Sequence, residues 1–144
     1  MDLILKFFQT LARHPVHPMV VHFPIALTGA AAFFILLALW KKNKLLEQIA
    51  FADIALASVS TVVAGITGLR DNIINFNGAA PNVGWKMILA VILLAVTALT
   101  SYFRWKDDKL FEKPSTRAWY VAAYFVSFAL ASILGFLGGI IVFG

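Results

Sequence analysis

Apolar residues dominate four long stretches of the chain, and polar or charged residues cluster between them. The apolar stretches run at about residues 18–40, 49–69, 85–103 and 118–143. A helix needs about 20 residues to cross the hydrocarbon core of a bilayer, which is roughly 30 Å thick. The pattern therefore predicts four transmembrane helices and assigns residues 1–144 to a single membrane-embedded domain.

A shorter segment with a different pattern precedes the first span. In residues 2–13, apolar side chains recur at helical spacing, with Lys6, Gln9 and Arg13 among them. About 12 residues cannot cross a bilayer, and an amphipathic helix of this kind is typical of the membrane interface. We expect an N-terminal interfacial helix here. The alternative is an apolar tail that becomes ordered only against a partner.

Proline makes the start of the first span ambiguous. Pro18 is compatible with the first turn of a helix. Pro24 has no backbone N–H, and its ring clashes with the carbonyl of Val20, so a helix kinks or begins there. We expect the helix to begin at Pro18 and to kink at Pro24. At the other end of the following span, the charged pair Arg70-Asp71 is expected to stop the second helix.

Composition supports this fold class. Hydrophobic residues make up 61% of the 144 positions and charged residues only 13%, a balance unlike that of a soluble domain. We therefore predict an all-α fold, a four-transmembrane-helix bundle with the N-terminal interfacial amphipathic helix. The chain has no cysteine, which excludes disulfides, thiolate ligands and iron–sulfur clusters held by this chain. The N-terminus lacks a basic region and a small-residue cleavage site, so we expect no removed signal peptide.

The distribution of basic residues predicts the orientation of the bundle. The net charge is +5, and eight Lys and Arg residues fall in the 41–44 and 104–117 segments, on one side of the predicted membrane. The opposite side has four, namely Lys6, Arg13, Arg70 and Lys86. Because cytoplasmic loops carry the excess of Lys and Arg, we expect both termini to be outside. The histidines then lie on the outer face.

All three histidines lie in one proline-rich stretch, residues 14–24, which leads into the first span. The block HPMVVHFPIAL, residues 17–27, resembles the opening motif of a family of small bacterial integral membrane proteins of unknown function, the DUF2231 family. The resemblance continues more weakly to residues 67–71. It implies a bacterial inner membrane protein in a redox setting, since relatives resemble proteins whose domain is joined to cytochrome c or Rieske-type modules.

His22 is the strongest candidate ligand in the chain. Ala26 and Gly29, at i+4 and i+7, leave the helix face beside it nearly bare. A porphyrin needs such a gap, and neutral imidazole is the usual axial ligand of haem iron. This pattern favours haem b bound near the outer face. The alternative is a structural histidine, since small residues also allow close helix packing and an imidazole near a kink can bind a freed carbonyl.

A metal site is the second candidate chemistry of this stretch. His14, His17 and His22 have the right number of ligands for zinc or copper. His17 and His22 are about 140° apart on a regular helix and cannot bind one ion from it. The other spans contain no histidine. A second axial ligand for haem would therefore be Met87, Lys86 or a histidine of a second subunit.

Charged residues close the same outer face. Arg70 and Asp71 end the second predicted helix there, and Lys86 begins the third. In a functional interpretation, Arg70 or Lys86 binds an anionic group such as a haem propionate, while Asp71 orients an imidazole. The alternative is that these charges are solvated at the membrane boundary.

Asp53 is a polar residue inside a predicted span. It lies one turn into the second helix, and an acid at membrane depth is costly without a partner. We expect it to form a structural hydrogen bond with a side chain at the same level of the third helix, and the candidates are Ser101, Tyr102 and Arg104.

Two functional hypotheses remain. The chain has no cysteine, no acid pair and no Gly-rich phosphate loop, so an independent enzyme is not supported, and no nucleic-acid partner is expected. The first hypothesis is a redox-associated protein that holds haem b and takes part in electron transfer. The alternative is a non-catalytic accessory subunit of a larger membrane complex. The small-residue series Ser60-Ala64-Gly68 and Gly135-Gly139 predict close helix contacts, within the chain or in a homo-oligomer.

Overall fold

The computed structural model describes residues 2–13 and 16–143, with side chains at residues 3–6, 9, 10 and 16–140. The described residues form six helices and no strand. The helices are α1 (Asp2–Arg13), α2 (His17–Val20), α3 (His22–Lys41), α4 (Lys44–Phe76), α5 (Val83–Lys106) and α6 (Pro114–Phe143). Four segments are long and apolar enough to cross a membrane, namely His17–Lys41, Lys44–Phe76, Val83–Lys106 and Pro114–Ile140. The predicted all-α fold with four spans is confirmed.

The four long helices form a closed ring. Helix α3 packs against α4 and α6, and α5 packs against the same two helices. Connections of two to seven residues join successive helices, which explains why neighbours in the chain are neighbours in the bundle. The α3–α4 turn and the 107–113 linker therefore lie at one end, here called the basic end. Helix α2 and the 77–82 loop lie at the other, here called the histidine end.

The first span is interrupted at Val21 rather than at Pro24. Helix α2 ends at Val20, and Val21 forms a turn before α3 begins. Pro24 is buried in the first turn of α3, where a backbone N–H would have no helical partner. Since Pro24 cannot donate to the carbonyl of Val20, the break falls between them. The hydroxyl of Thr28 instead donates to the carbonyl of Pro24, at 2.6 Å.

Helix α4 is longer than the 49–69 span predicted for it. At its start, the side chain of Asn43 accepts a hydrogen bond from the first turn and caps it. At its end, the predicted stop at Arg70-Asp71 is wrong, since the helix continues for five more residues. It ends where Asn77 and Gly78 adopt left-handed conformations, with φ of 51° and 81°. Charged residues do not by themselves break a helix, whereas this left-handed cap does.

The interior of the ring is built mainly from small residues. Buried positions recur every three or four residues, and on α4 they are Glu47, Ala50, Ile54, Ala57, Thr61, Ala64 and Asp71. Large apolar side chains such as Phe33, Val91 and Phe136 face outward. This distribution is typical of a lipid-exposed bundle in which small residues let the helices approach closely.

The ends of the bundle carry the remaining predicted features. The four tryptophans, Trp40, Trp85, Trp105 and Trp119, are exposed near the helix ends, as the aromatic belt of a membrane protein requires. Residues 2–13 form the expected short helix α1. Its location on the membrane surface stays a prediction.

Candidate functional site

His17 is fixed at the histidine end by residues of α4. Its backbone N–H donates to Oδ2 of Asp71 at 2.8 Å, across 54 residues of sequence. Its imidazole Nδ1 lies 3.3 Å from the hydroxyl of Thr67. The ring also lies over Gly68, where an added Cβ would be 3.0 Å from Cε1. The small residue at the end of the predicted Ser60-Ala64-Gly68 series thus makes room for an imidazole.

Asp71 anchors this cluster because it is buried and charged. Its second oxygen, Oδ1, accepts a hydrogen bond from Arg70 at 2.7 Å, and only 7% of its side chain is exposed. A carboxylate at the N-terminus of α2 accepts an N–H that has no helical partner and interacts favourably with the helix dipole. The predicted neighbours Arg70 and Asp71 are therefore brought together, but around His17. Lys86 lies in the first turn of α5, at the same end of the bundle.

His22 lies apart from this cluster. Its side chain is exposed on the outward face of α3, as is Ala26 one turn further along. Gly29 is covered, since an added Cβ there would be 3.1 Å from the ring of Phe128 on α6. The gap expected beside His22 is thus one turn long rather than two. The carboxylate of Asp71, which was expected to orient an imidazole, binds the backbone N–H of His17 and the guanidinium of Arg70.

The histidines do not form one ligand set in the described part of the chain. His17 is half-buried against α4, whereas His22 faces outward, and His14 lies outside the described residues. Within residues 2–13 and 16–143, no three His, Cys, Asp or Glu residues are grouped to hold a metal ion. Met87 is exposed on α5. Among the described residues, neither His17 nor Met87 faces the imidazole of His22 as a second ligand, so a haem site at His22 stays a prediction.

A buried ion pair near the basic end was missed by sequence analysis. Glu47 on α4 and Arg104 on α5 are 1% and 6% exposed. Arg104 donates from Nε and Nη2 to the two carboxylate oxygens, at 2.6 and 2.9 Å. The hydroxyl of Tyr120 on α6 donates to Oε1 of Glu47 at 2.7 Å and lies 2.7 Å from the hydroxyl of Tyr124. One carboxylate therefore joins three helices.

Helical spacing was the signal that could have revealed this pair. Glu47 continues the buried face of α4, three residues before Ala50, and Arg104 continues that of α5, four residues after Thr100. Arg104 was instead expected as one candidate partner of Asp53. In the structure, Arg104 donates hydrogen bonds to both carboxylate oxygens of Glu47, and Asp53 is only partly buried.

Comparison with known protein families gives a match that covers nearly the whole chain. The family model described as "Predicted membrane protein (DUF2231)" matches residues 13–144. The search of curated proteins and the search of solved structures each found no match. The matched region includes the histidine stretch, the Glu47–Arg104 pair and all four spans. This chain therefore belongs to the DUF2231 family of predicted membrane proteins.

Proposed function

We propose that the protein is a non-catalytic subunit of a larger membrane complex and contacts its partner through the outward face of α3. This face is defined by His22, Ala26, Phe33, Leu36 and Trp40, which are exposed at helical spacing. The observation that carries the proposal is the exposure of His22 on this outward face. An imidazole on the outward face of a span is unfavourable against lipid, and a protein partner can provide a hydrogen bond or a metal.

The interior of the bundle supports an outward-facing role. In the part of the chain that the structure describes, every buried side-chain nitrogen or oxygen has a hydrogen-bond partner. Buried hydroxyls such as those of Thr61, Thr97 and Ser127 donate to carbonyls of their own helices. Because these groups already form hydrogen bonds within the protein, we expect a partner to be recognised by the outer surfaces.

The proposal places the protein in the bacterial inner membrane, with the basic end in the cytoplasm and both termini in the periplasm. The support is the positive-inside rule, since the two most basic connections lie at one end of the bundle. A membrane-impermeant maleimide applied to intact spheroplasts tests it. The reagent should label Ala79→Cys, an exposed position in the 77–82 loop at the histidine end, and should not label Lys42→Cys until the membrane is opened. The reverse pattern would refute this orientation.

Cross-linking in native membranes tests the proposed contact. The chain has no cysteine, so a single introduced thiol reports on one position. A short thiol-to-amine cross-linker should join His22→Cys to a second polypeptide. The matched control is Ile88→Cys, which is also exposed and near the histidine end but lies on α5. Equal cross-linking from both positions, or none from His22→Cys, would contradict the proposal.

A second candidate function is favoured by one observation at the same position. His22 is exposed and Ala26 leaves only a methyl group beside it one turn away. We propose that these two residues contribute one side of a haem b site whose second axial ligand belongs to a partner subunit. Haem bound there would supply one-electron transfer, as in the redox hypothesis.

An absorption spectrum separates the two candidates. Protein purified gently with its partner should show a Soret band if His22 is a haem ligand. His22→Ala should then abolish the band, whereas His17→Ala, which alters the histidine cluster committed to α4, should retain it. A complex without a Soret band would refute the haem proposal. The subunit proposal would then depend on the cross-linking result alone.

A further inference from the structure

A groove at the basic end is lined by charged side chains above an apolar floor. Its volume is about 440 Å³. It is here called the basic groove, and its lining includes Leu39, Lys42, Lys44, Phe111, Glu112 and Arg117. The C-terminus of α3, the N-terminus of α4 and the 107–113 linker meet there. The groove is thus a feature of the tertiary fold, made by segments about 70 residues apart.

The charges in the basic groove are unbalanced. Lys44 binds Glu112, with Nζ 2.9 Å from Oε1. Arg117 donates from Nε and Nη2 to the carbonyls of Phe111 and Glu112, each at 2.8 Å, which fixes its guanidinium without neutralising it. Lys42 is exposed and forms no ion pair with a described residue. Three cationic side chains therefore face one carboxylate in the lining and a second, that of Asp108, whose Oδ2 lies 4.0 Å from Nζ of Lys44. The groove keeps an excess of positive charge and favours an anion.

The floor of the groove is apolar. Leu39 and Phe111 are partly buried and continue toward the outward apolar side chains of α3, Leu36 and Trp40. Trp40 belongs to the aromatic belt at this end, together with Trp105 and Trp119. A ligand with a phosphate at the rim and an acyl chain along the helix would use both the charges and the floor.

We propose that the basic groove binds the phosphodiester headgroup of an anionic glycerophospholipid. In the orientation proposed above, the groove lies on the cytoplasmic side, where basic pockets between transmembrane helices recognise such headgroups. The guanidinium of Arg117 is held in place before binding, and Lys42 supplies a mobile second cation. Inorganic phosphate shares the anionic chemistry but has no acyl chain for the floor, so the two sources can be distinguished.

A binding titration with the full chain in non-ionic detergent tests this proposal. The probe is phosphatidylglycerol with a fluorescent label on one acyl chain, and phosphatidylcholine with the same label is the zwitterionic comparison. Each basic residue near an anionic lipid surface contributes about fivefold in affinity. We expect phosphatidylglycerol to bind more tightly and Lys42→Gln to weaken its binding about fivefold. Glu112→Gln, which removes the opposing carboxylate, should strengthen it.

Lys41→Gln is the matched control. Lys41 is adjacent and also exposed, but its ammonium lies over the ring of Trp40, 5.7 Å from the centroid, outside the groove. This change should leave the affinity unaltered. The gain expected from Glu112→Gln cannot be produced by misfolding. Equal losses in Lys41→Gln and Lys42→Gln would overturn the proposal, as would displacement of the probe by inorganic phosphate at equal concentration.

Discussion

The Glu47–Arg104 pair gives the sharpest test of what holds this bundle together. Replacing Arg104 with methionine keeps a side chain of similar length and removes the charge. Glu47 then loses two of its three hydrogen bonds and keeps only the one from Tyr120. Its carboxylate, 1% exposed, cannot recover them from water. The change should therefore destabilise the fold strongly.

The size of the effect follows from these contacts. Hydrogen bonds to charged groups contribute about 1.5–3 kcal/mol each, which gives about 3–6 kcal/mol for the two that are lost. Breaking a buried ion pair by removing one partner costs about 3–5 kcal/mol. We expect Arg104→Met to lower the unfolding free energy by about 3 kcal/mol or more. Replacing both partners should cost less than the sum of the single changes, because no buried charge is left without its partner.

A double-mutant cycle measures this difference. The variants are Arg104→Met, Glu47→Gln and their combination, unfolded in mixed micelles and followed by tryptophan fluorescence. We expect a coupling energy of about 2–3 kcal/mol. Hydrogen bonds between membrane helices couple by only about 0.6 kcal/mol on average, so a value at or below that would refute the reasoning. The control is Lys106→Met, the same kind of change at an exposed position of α5.

Three further predictions concern single positions. Gly135→Leu should destabilise the bundle by about 1–3 kcal/mol in the same unfolding assay, since a Cβ there already meets a neighbouring side chain at 2.6 Å. The close contact expected at Gly139 is not seen among the described residues, since none of their atoms lies within 4 Å of an added Cβ there. Gly139→Leu should therefore change stability by less than about 0.5 kcal/mol, and an equally harmful effect would contradict this reasoning. Tyr120→Phe should cost about 1.5–3 kcal/mol, because it removes the hydroxyl that donates to a buried carboxylate. The pKa of Asp107 in the linker should lie below its usual 3.8, since a hydrogen bond from Lys113 stabilises the carboxylate, and an NMR titration should show it return toward 3.8 in Lys113→Gln. Any stabilisation from this pair is present above pH of about 3.8 and is lost as the pH falls through the lower folded-state pKa.

The two ends of the bundle use buried charge differently. At the histidine end, Asp71 binds a backbone N–H and so fixes where α2 begins relative to α4. Near the basic end, Glu47 binds side chains of two other helices. The first contact positions the entry into the membrane, and the second holds the ring closed. Neither charge is left available for a ligand.

The sequence by itself determined the number and type of the spanning elements. In a bilayer the backbone must satisfy its own hydrogen bonds, so an apolar run of about 20 residues has to form a helix. The same local reasoning predicted the short helix α1 and a kink in the first span, although it placed the kink at Pro24 and the break lies at Val21. These features depend on residues within one or two turns of each other, and a sequence displays such neighbours directly.

Only the tertiary structure decided which polar groups meet. Ala26 and Gly29 suit either a cofactor or a neighbouring helix, and the ring of Phe128, about 100 residues away, covers Gly29. The five residues from His17 to His22 include the break at Val21, so no regular helix relates their directions. Between membrane helices, where both faces are apolar, packing depends on small residues and a few distant polar contacts rather than on a hydrophobic pattern. Helical spacing can mark Glu47 and Arg104 as buried, but only the folded chain shows that they bind each other and that Asp71 binds His17.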